Sequence, residues 1–458
     1  MARLKKIAVT EARALAFNVL WRVEAQGAYS DVALDAALRA SAGLDGRERA
    51  LATQLVYGVL RQRGRLDFVL SHLCRQPLSA LEMAVLLLLR LGAYQLLYLD
   101  RVPERAAVHS TVELARRLGL ERATGLVNAV LRGCIRRRDE ITCPDPAAGA
   151  EQMATGCSLP LWLARRWLRQ YDVATAVALA QCQSEAAPVT LRVNTLKVER
   201  RQVLEELQRH GAAAAPTRFA AEGITVSGGG IAVLQQIDPS WYQLQDEASM
   251  LIAPLLQPQP GELIADVCAA PGGKTTHLAA LCGDEASISA SDIHASRLKT
   301  LQRAAQRLGC GCVKTLRRDM TATPASADSG SFHKVLVDAP CSGLGVLRRN
   351  PEVRWRRQEE DVTRLALLQR KILANAAEML APGGLLVYSL CTTTVEESWQ
   401  VVDDFLAHHT DYELVPVAQI APPHWQQLCD KRGALSTFTP WHDNMDCFFA
   451  VVLRRING

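Results

Sequence analysis

No stretch of the chain approaches the ~20 consecutive apolar residues that a bilayer demands. The most apolar run, Met83 to Leu89, is preceded by Glu82 and followed at once by Arg90. Neither a transmembrane span nor a membrane partner is expected. The opening residues (Lys5, Lys6, then Thr10-Glu11-Ala12-Arg13) contain no apolar h-region, so no secretory signal is expected either. CxxC spacing is missing altogether. Of 13 cysteines the only close pair is Cys310 and Cys312, too little for a zinc site, and no metal is expected. An odd cysteine count in a chain without a secretory signal fits a reducing cytoplasm, where most thiols serve as small buried apolar groups. Internal repeats and long low-complexity tracts are absent as well. With 49% apolar and 22% charged residues, the composition excludes disorder, collagen and coiled coil. A length of 458 residues leaves room for about three domains.

Charge is present in near balance but unevenly spread. Lys and Arg number 52 against 47 Asp and Glu. Residues 1–145 hold 22 basic and 15 acidic side chains, a net of +7, and the remainder holds 30 and 32, a net of −2. All of the basic excess therefore sits in the first third, an asymmetry that favours a polyanionic partner.

That first third reads as helical. Ala12, Leu15, Ala16, Val19, Leu20 and Val23 repeat at the helical period, as do Leu51, Leu55, Val59 and Leu60, and again Val112, Ala115 and Leu118. Gly119 and Gly133 stand where helices are expected to end. Two arginine clusters, Arg61/Arg63/Arg65 and Arg136/Arg137/Arg138, are either solvated faces or a grip on phosphates. Cys143 to Gly149 reads as a linker. Residues 146–240 mix a helix over Leu161–Ala180, a strand at Val189–Asn194, a helix from Glu199 to His210 and a flexible Gly228-Gly229-Gly230, the makings of a small α+β domain. Over residues 241–458 the alternation becomes regular. Strand-like runs at Leu263–Val267, Ile288–Ala290, Val335–Val337 and Leu385–Tyr388 alternate with helices such as Ser296–Leu308 and Asp361–Leu380. This pattern argues a parallel, doubly wound sheet, with Phe448–Leu453 as a final strand.

In such sheets ligands bind beyond the carboxyl ends of the strands. The first of these ends carries Asp266 and then Cys268-Ala269-Ala270-Pro271-Gly272-Gly273-Lys274. Its small residues let backbone approach a ligand, and the following helix offers free N–H groups. The string is neither a GxGxxG nor a Walker loop. The second strand ends at Asp292, suited to ribose hydroxyls, the third at Asp319 and the fourth at Asp338. Any one aspartate could be a turn or cap residue. Four at successive strand ends describe a crevice for an adenosine-containing cofactor.

Two of these ends also carry a cysteine, Cys341 in Asp338-Ala339-Pro340-Cys341-Ser342-Gly343 and Cys391 in Tyr388-Ser389-Leu390-Cys391-Thr392. Neither has a second ligand at metal spacing, and a nucleophilic thiolate fits better. The residues alone leave open which cysteine attacks.

These strings, with Arg348 to Trp355 and Gln245 to Ser249, resemble the motifs of the RNA (cytosine-5) methyltransferase family (NOL1/NOP2/Sun), in the family's order over about residues 190–455. The first third resembles a NusB-like RNA-binding domain. The resemblance implies a Rossmann-like α/β methyltransferase domain that uses S-adenosyl-L-methionine, preceded by an all-α NusB-like domain and a small α+β domain. It implies methylation of C5 of a cytosine in 16S rRNA, cytosine 967, free or in a partly assembled small ribosomal subunit. A monomer is the plain expectation, and the cysteine usage points to the cytoplasm. The resemblance makes Cys391 the nucleophile and Cys341 the aid to breakdown of the covalent adduct. Asp338 would meet the cytosine N3/N4 edge, with Lys274 assisting. Cys268 to Lys274 would wrap the cofactor, Asp292 would hold its ribose, and Asp319 would lie beside its adenine.

Cytosine C5 is a poor nucleophile, and a thiolate added at C6 turns the ring into an enamine that can take a methyl group. The base must be unpaired or flipped to be reached. Two departures from the family pattern stand out: Leu390 and Thr392 flank Cys391 where threonine and serine, respectively, are usual, and Cys447 replaces a glycine. Competing readings are methylation of another RNA such as tRNA, and a non-catalytic RNA-binding assembly factor. The last would be expected to have lost Cys391, Cys341 or Asp338.

Overall fold

The computed structural model describes residues 11–41, 43–227, 230–322 and 328–456. Lys5, Lys6 and Thr10 of the opening segment, and Gly228 and Gly229 of the glycine run, lie outside the described residues. The chain forms two compact units. One takes the chain up to Ala186 together with Leu347–Arg357, and the other holds Ala187–Val346 and Gln358 onward.

The first unit is helical. Its centre is Met83–Tyr98, in which every residue from Ala84 to Leu96 is buried. A helix enclosed on all sides needs apolar residues all round rather than a stripe, which is why the most apolar run of the sequence falls here. Among the described residues no helix is long and apolar enough to cross a membrane. Around the central helix pack Ala12–Gln26, Ser30–Ala40, Gly46–Arg61, Arg63–Leu73, Glu104–Arg117 and Thr124–Arg136. Ala12–Gln26 buries the expected face, Leu15, Ala16, Val19, Leu20 and Val23. Gly119 follows Glu104–Arg117 with a left-handed φ of 78°, as a helix end requires. Gly133 does not end a helix; it lies inside Thr124–Arg136, where Leu73 packs against it.

Two more expectations are corrected in this unit. The helical stretch Leu161–Ala180 is two helices, Leu161–Gln170 and Val173–Ser184, because the Asp172 carboxylate caps the second by accepting from the Thr175 amide at 3.0 Å. The cluster Arg61/Arg63 is neither a solvated face nor a free phosphate grip. Arg61 donates to the Arg348 carbonyl at 3.1 Å, and Arg63 clamps both oxygens of Glu24 at 3.1 and 3.0 Å while its guanidinium lies 5.0 Å from the Trp355 ring centre. Leu347–Arg357 is bound into this unit by further polar contacts. Glu352 accepts from the Ser30 amide (2.9 Å) and hydroxyl (2.7 Å), Trp355 donates to the Leu60 carbonyl, and the fully buried Arg354 donates to the carbonyls of Ser158 and Gln183.

The second unit contains two sheets. The smaller is antiparallel, built from β1 (Val189–Val193), β2 (Ala213–Pro216), β3 (Gly223–Ser227) and β4 (Tyr242–Leu244) in the order β2-β3-β1-β4, with helix Arg200–Arg209 beside it. The larger comprises β5 (Leu263–Asp266), β6 (Ser287–Asp292), β7 (Val313–Arg317), β8 (Phe332–Asp338), β9 (Leu380–Leu390), β10 (Tyr412–Val415), β11 (Leu435–Ser436) and β12 (Phe449–Arg455). Its order is β10-β12-β9-β8-β5-β6-β7, with β11 paired to β12. The five strands from β7 to β9 run parallel, and β12 and β10 are antiparallel additions. Helices Gly273–Leu281, Ala295–Leu308 and Glu359–Glu378 supply the crossovers. This is the Rossmann-like arrangement expected.

Arg90, in the central helix of the first unit, is buried and holds Asp67 with two bonds, Nε to Oδ1 at 2.7 Å and Nη2 to Oδ2 at 2.8 Å. Asp67→Ala would strand the guanidinium in the core and should destabilise the helical unit by about 3 kcal/mol. Urea unfolding checks this; a loss below about 1 kcal/mol would contradict the assignment.

Candidate active site

The parallel register of β8 and β9 sets Val337 opposite Tyr388 and Asp338 opposite Ser389. Both strands therefore end at one level, and the cysteines a few residues further on arrive together. Cys341 Sγ and Cys391 Sγ lie 3.3 Å apart. The Cys341 thiol is held well above its ordinary value, first by its hydrogen bond with Cys391, then by burial, then by the charges of Cys391 and Glu397. Asp338 lies at the same edge. Its Oδ1 accepts from Ser389 Oγ at 2.9 Å and its Oδ2 from Lys274 Nζ at 2.7 Å. Lys274 is buried, and its ammonium stands 5.0 Å from the Phe448 ring centre, a favourable cation–π position.

The strand order reverses at β5 and β8, the point where open parallel sheets take their ligands. Asp266, Asp292 and Asp338 close β5, β6 and β8 around it. The loop after β5 leads into helix Gly273–Leu281 through Gly272, whose φ is 108°; a Cβ there would also meet Leu301 Cγ at 2.8 Å. Glycine is therefore required. Arg192 of β1, fully buried, secures the start of that helix. It donates to the Gly273 carbonyl, to Gln245 Oε1 at 2.6 Å and to Thr276 Oγ1 at 2.9 Å. Burial lowers its guanidinium to about 10.

The donor set of this crevice suits a cationic adenosyl ligand. Asp266 is buried and pushed up to about 7 by burial; one oxygen accepts from Thr275 at 2.7 Å while Oδ1 has no partner. Among the described residues Asp292 uses only Oδ1, accepting from the His294 amide at 2.8 Å, which leaves its second oxygen for hydroxyls. Three carboxylates against one lysine make a site suited to a positively charged ligand. The residues fit.

The remaining expected site residues fall as follows. Cys268, Ala269, Ala270, Pro271, Gly272, Gly273 and Lys274 form the loop and the first turn of the helix. The Cys268 thiol is pushed well above its ordinary value by burial and then by Asp266, Asp338 and Asp292, so it offers no thiolate. Asp319 is exposed, and its Oδ1 accepts from the amide and hydroxyl of Thr321 at 2.9 and 2.7 Å, a turn geometry. Both departures from the family pattern have a structural account. Leu390 is buried in the core, and Thr392 Oγ1 donates to Glu397 Oε2 at 2.9 Å. Cys447 does not have a left-handed φ, so a side chain is tolerated there, and its sulfur lies 3.2 Å from Thr439 Oγ1. Among the described residues no group of three metal-ligating side chains occurs.

Sequence reasoning missed several contributors. Ser342, Ser389 and Phe448 lay inside the quoted strings, but nothing in the spacing singled them out from their neighbours. Glu397 and Gln369 lay outside every string. Gly345 was also missed: its amide donates to the Cys391 carbonyl at 3.0 Å, and a Cβ on it would lie 2.2 Å from the Cys447 carbonyl oxygen.

In the first unit, helices Glu104–Arg117 and Thr124–Arg136 border a groove of about 800 Å³ lined by Arg105, His109, Arg116, Asn128 and Arg132, with Glu104 at its edge. Arg116 pairs with Glu113 at 3.0 Å and Glu104 with Arg138 at 3.4 Å. Among the described residues Arg105 and Arg132 have no partner.

Three segments of the chain match known families. Residues 253–454 match the family described as 16S rRNA methyltransferase RsmB/F, residues 10–136 the NusB family, and residues 159–232 the ferredoxin-like domain of the RsmF/B-like methyltransferases. The chain is 34% identical over 449 residues to the probable ribosomal RNA small subunit methyltransferase B of Synechocystis, covering 97% of this chain and 99% of that one. It is 33% identical over 404 residues to the ribosomal RNA small subunit methyltransferase B of Pseudomonas putida, covering 86% and 90%. Among solved structures, PH0851 superposes with a TM-score of 0.82 at 24% identity, over 99% of this chain and all of that one. Identity of this degree along nearly the whole length means that the chain belongs to the ribosomal RNA small subunit methyltransferase B family.

Proposed function

We propose that the protein methylates C5 of a cytosine in 16S rRNA, cytosine 967, with S-adenosyl-L-methionine as methyl donor and Cys391 as nucleophile. The observation that carries this reading is the 3.3 Å pairing of two cysteine sulfurs at neighbouring strand ends beside the Lys274–Asp338 pair. The names of the relatives supply the ribosomal substrate. Residues Cys268 to Lys274, with Asp266, Asp292, Asp319 and Asp338, would hold the cofactor, which supplies an electrophilic methyl group when bound.

The chain's own residues do the rest. Cys341 keeps its proton and donates it in a hydrogen bond to Cys391, so that Cys391 is the sulfur that attacks. Its thiolate forms a bond to C6 of the flipped cytosine, and the ring's electron pair moves to C5. Asp338 engages the N3/N4 edge and stabilises the adduct, its carboxylate held by Ser389 and Lys274. Once C5 carries the methyl group, a base takes the C5 proton, the C6–S bond breaks and aromaticity returns. Cys341 assists by offering its proton to the departing Cys391 sulfur. With labelled cofactor and unmethylated 16S rRNA, Cys391→Ala should lose methyl transfer by more than about a thousandfold. Cys341→Ala should instead accumulate a protein–RNA adduct stable to denaturing electrophoresis. Activity in Cys391→Ala, with no adduct in Cys341→Ala, would reverse the two roles.

The basic groove of the helical unit would grip phosphates away from the reaction centre. Arg105 and Arg132, which have no protein partner among the described residues, are guanidiniums able to release counterions. Affinity for 16S rRNA should fall steeply between about 50 and 200 mM salt, and Arg105→Ala with Arg132→Ala should reduce the log–log slope by about 2. A flat affinity over that range, or an unchanged slope in the double variant, would exclude the groove.

A further inference from the structure

Glu397 is fully buried, and among the described residues no cation pairs with it. Its carboxylate is satisfied instead by five donors. Oε1 accepts from the Ser342 amide at 2.7 Å and from Gln369 Nε2 at 3.0 Å. Oε2 accepts from the hydroxyls of Ser342 at 2.5 Å, Thr392 at 2.9 Å and Thr394 at 2.7 Å. A carboxylate removed from water without a counter-ion is tolerated only with such full satisfaction. The donors are not scattered. Ser342 follows Cys341 and Thr392 follows Cys391, and the two hydroxyls also lie 2.8 Å from each other. Gln369 extends the tie by donating to the Pro340 carbonyl, the residue before Cys341, at 3.0 Å. Tyr388, at the end of β9, donates to the Glu397 carbonyl at 2.8 Å. One side chain thus fastens both cysteine loops to each other and to the strand that delivers Cys391.

We infer that Glu397 is the positioning residue of the two-cysteine centre: its buried carboxylate holds the Cys341 and Cys391 loops at the spacing that the reaction uses. A side chain needed only for folding would leave the sulfur–sulfur spacing intact once the protein had folded. A positioning residue would not. This inference rests on the proposed two-cysteine reaction for its meaning, but the spacing itself can be measured without any turnover.

Diamide joins two thiols into a disulfide by accepting two electrons and two protons, and its rate with the full-length protein reports how often the two sulfurs meet. In Glu397→Ala the Cys341–Cys391 disulfide, scored by peptide mass spectrometry, should form at least about tenfold more slowly than in the wild type. The kcat for rRNA methylation should fall by a similar or larger factor with little change in KM. Glu397→Gln retains an oxygen for the Ser342 and Gln369 N–H groups and an amide whose two N–H groups two of the three hydroxyls can turn to accept, so it should restore disulfide formation to within about threefold. If Glu397→Ala does not fold by circular dichroism, Thr392→Val, which removes one strut while keeping the shape, should slow the disulfide by about threefold. A wild-type disulfide rate in folded Glu397→Ala, or in Thr392→Val where that variant must serve, overturns the inference. Absence of methyl transfer by the wild type would count against the proposed reaction while leaving the disulfide comparison intact.

Discussion

Everything chemical in this protein depends on two parallel strands ending at the same height. β8 and β9 are hydrogen-bonded neighbours in register, Asp338 against Ser389, although 50 residues separate Cys341 from Cys391. An antiparallel pair would send its two ends to opposite edges of the sheet. Parallel pairing sends both to one edge, so a three-residue extension from Asp338 and a two-residue extension from Ser389 meet. The helix Glu359–Glu378 between the strands is the crossover that parallel pairing needs. It also brings Gln369 beneath the cysteine loops.

Around this edge the second unit buries polar groups that an apolar core would reject, and each is held in a distinct way. Arg192 donates to Gln245 and to Gly273 and Thr276 of the helix that begins at Gly273. His277 in that helix meets Glu222 at 2.6 Å, with burial lowering the imidazole. Glu397 has hydroxyls, an amide N–H and a side-chain amide. These contacts are directional, so they fix positions more sharply than apolar packing does. Asp266 keeps one oxygen unpaired among the described residues, and it lies where a cationic ligand would complete it. The first unit handles its charges similarly, with Arg90 on Asp67 and Arg354 on main-chain carbonyls.

Much of this was legible in the sequence because it is periodic or local. Strands β5, β6, β8, β9 and β12 follow from apolar runs, and Asp266, Asp292 and Asp338 could be found at strand ends by counting; β7, β10 and β11 gave no such run, and β7 ends at Arg317, short of Asp319. The pair Cys341/Cys391 was legible as two strand-end thiols but not as a 3.3 Å contact, because register is a tertiary property. Glu397 could not be found this way. Six residues beyond Cys391, just before helix Trp399–His408, it reads as an ordinary acidic residue near a helix start. Only burial and five donors, three of them distant in sequence, distinguish it. The arginines at 61 and 63 failed for the opposite reason. A cluster of like charges signals solvent when neighbours are unknown, whereas here Glu24, Trp355 and the Arg348 carbonyl, all distant in sequence, occupy them.

The central claim is that Cys391, and not its neighbour, bonds to the base. The most direct measurement is to trap the wild-type protein with S-adenosyl-L-methionine on 16S rRNA containing 5-fluorocytosine, whose C5 fluorine cannot leave as a proton does. Nuclease and protease digestion with mass spectrometry then locates the modified residue. A nucleotide mass on the peptide containing Cys391, with Cys341 unmodified, is the predicted result. The same mass on Cys341 would contradict the account.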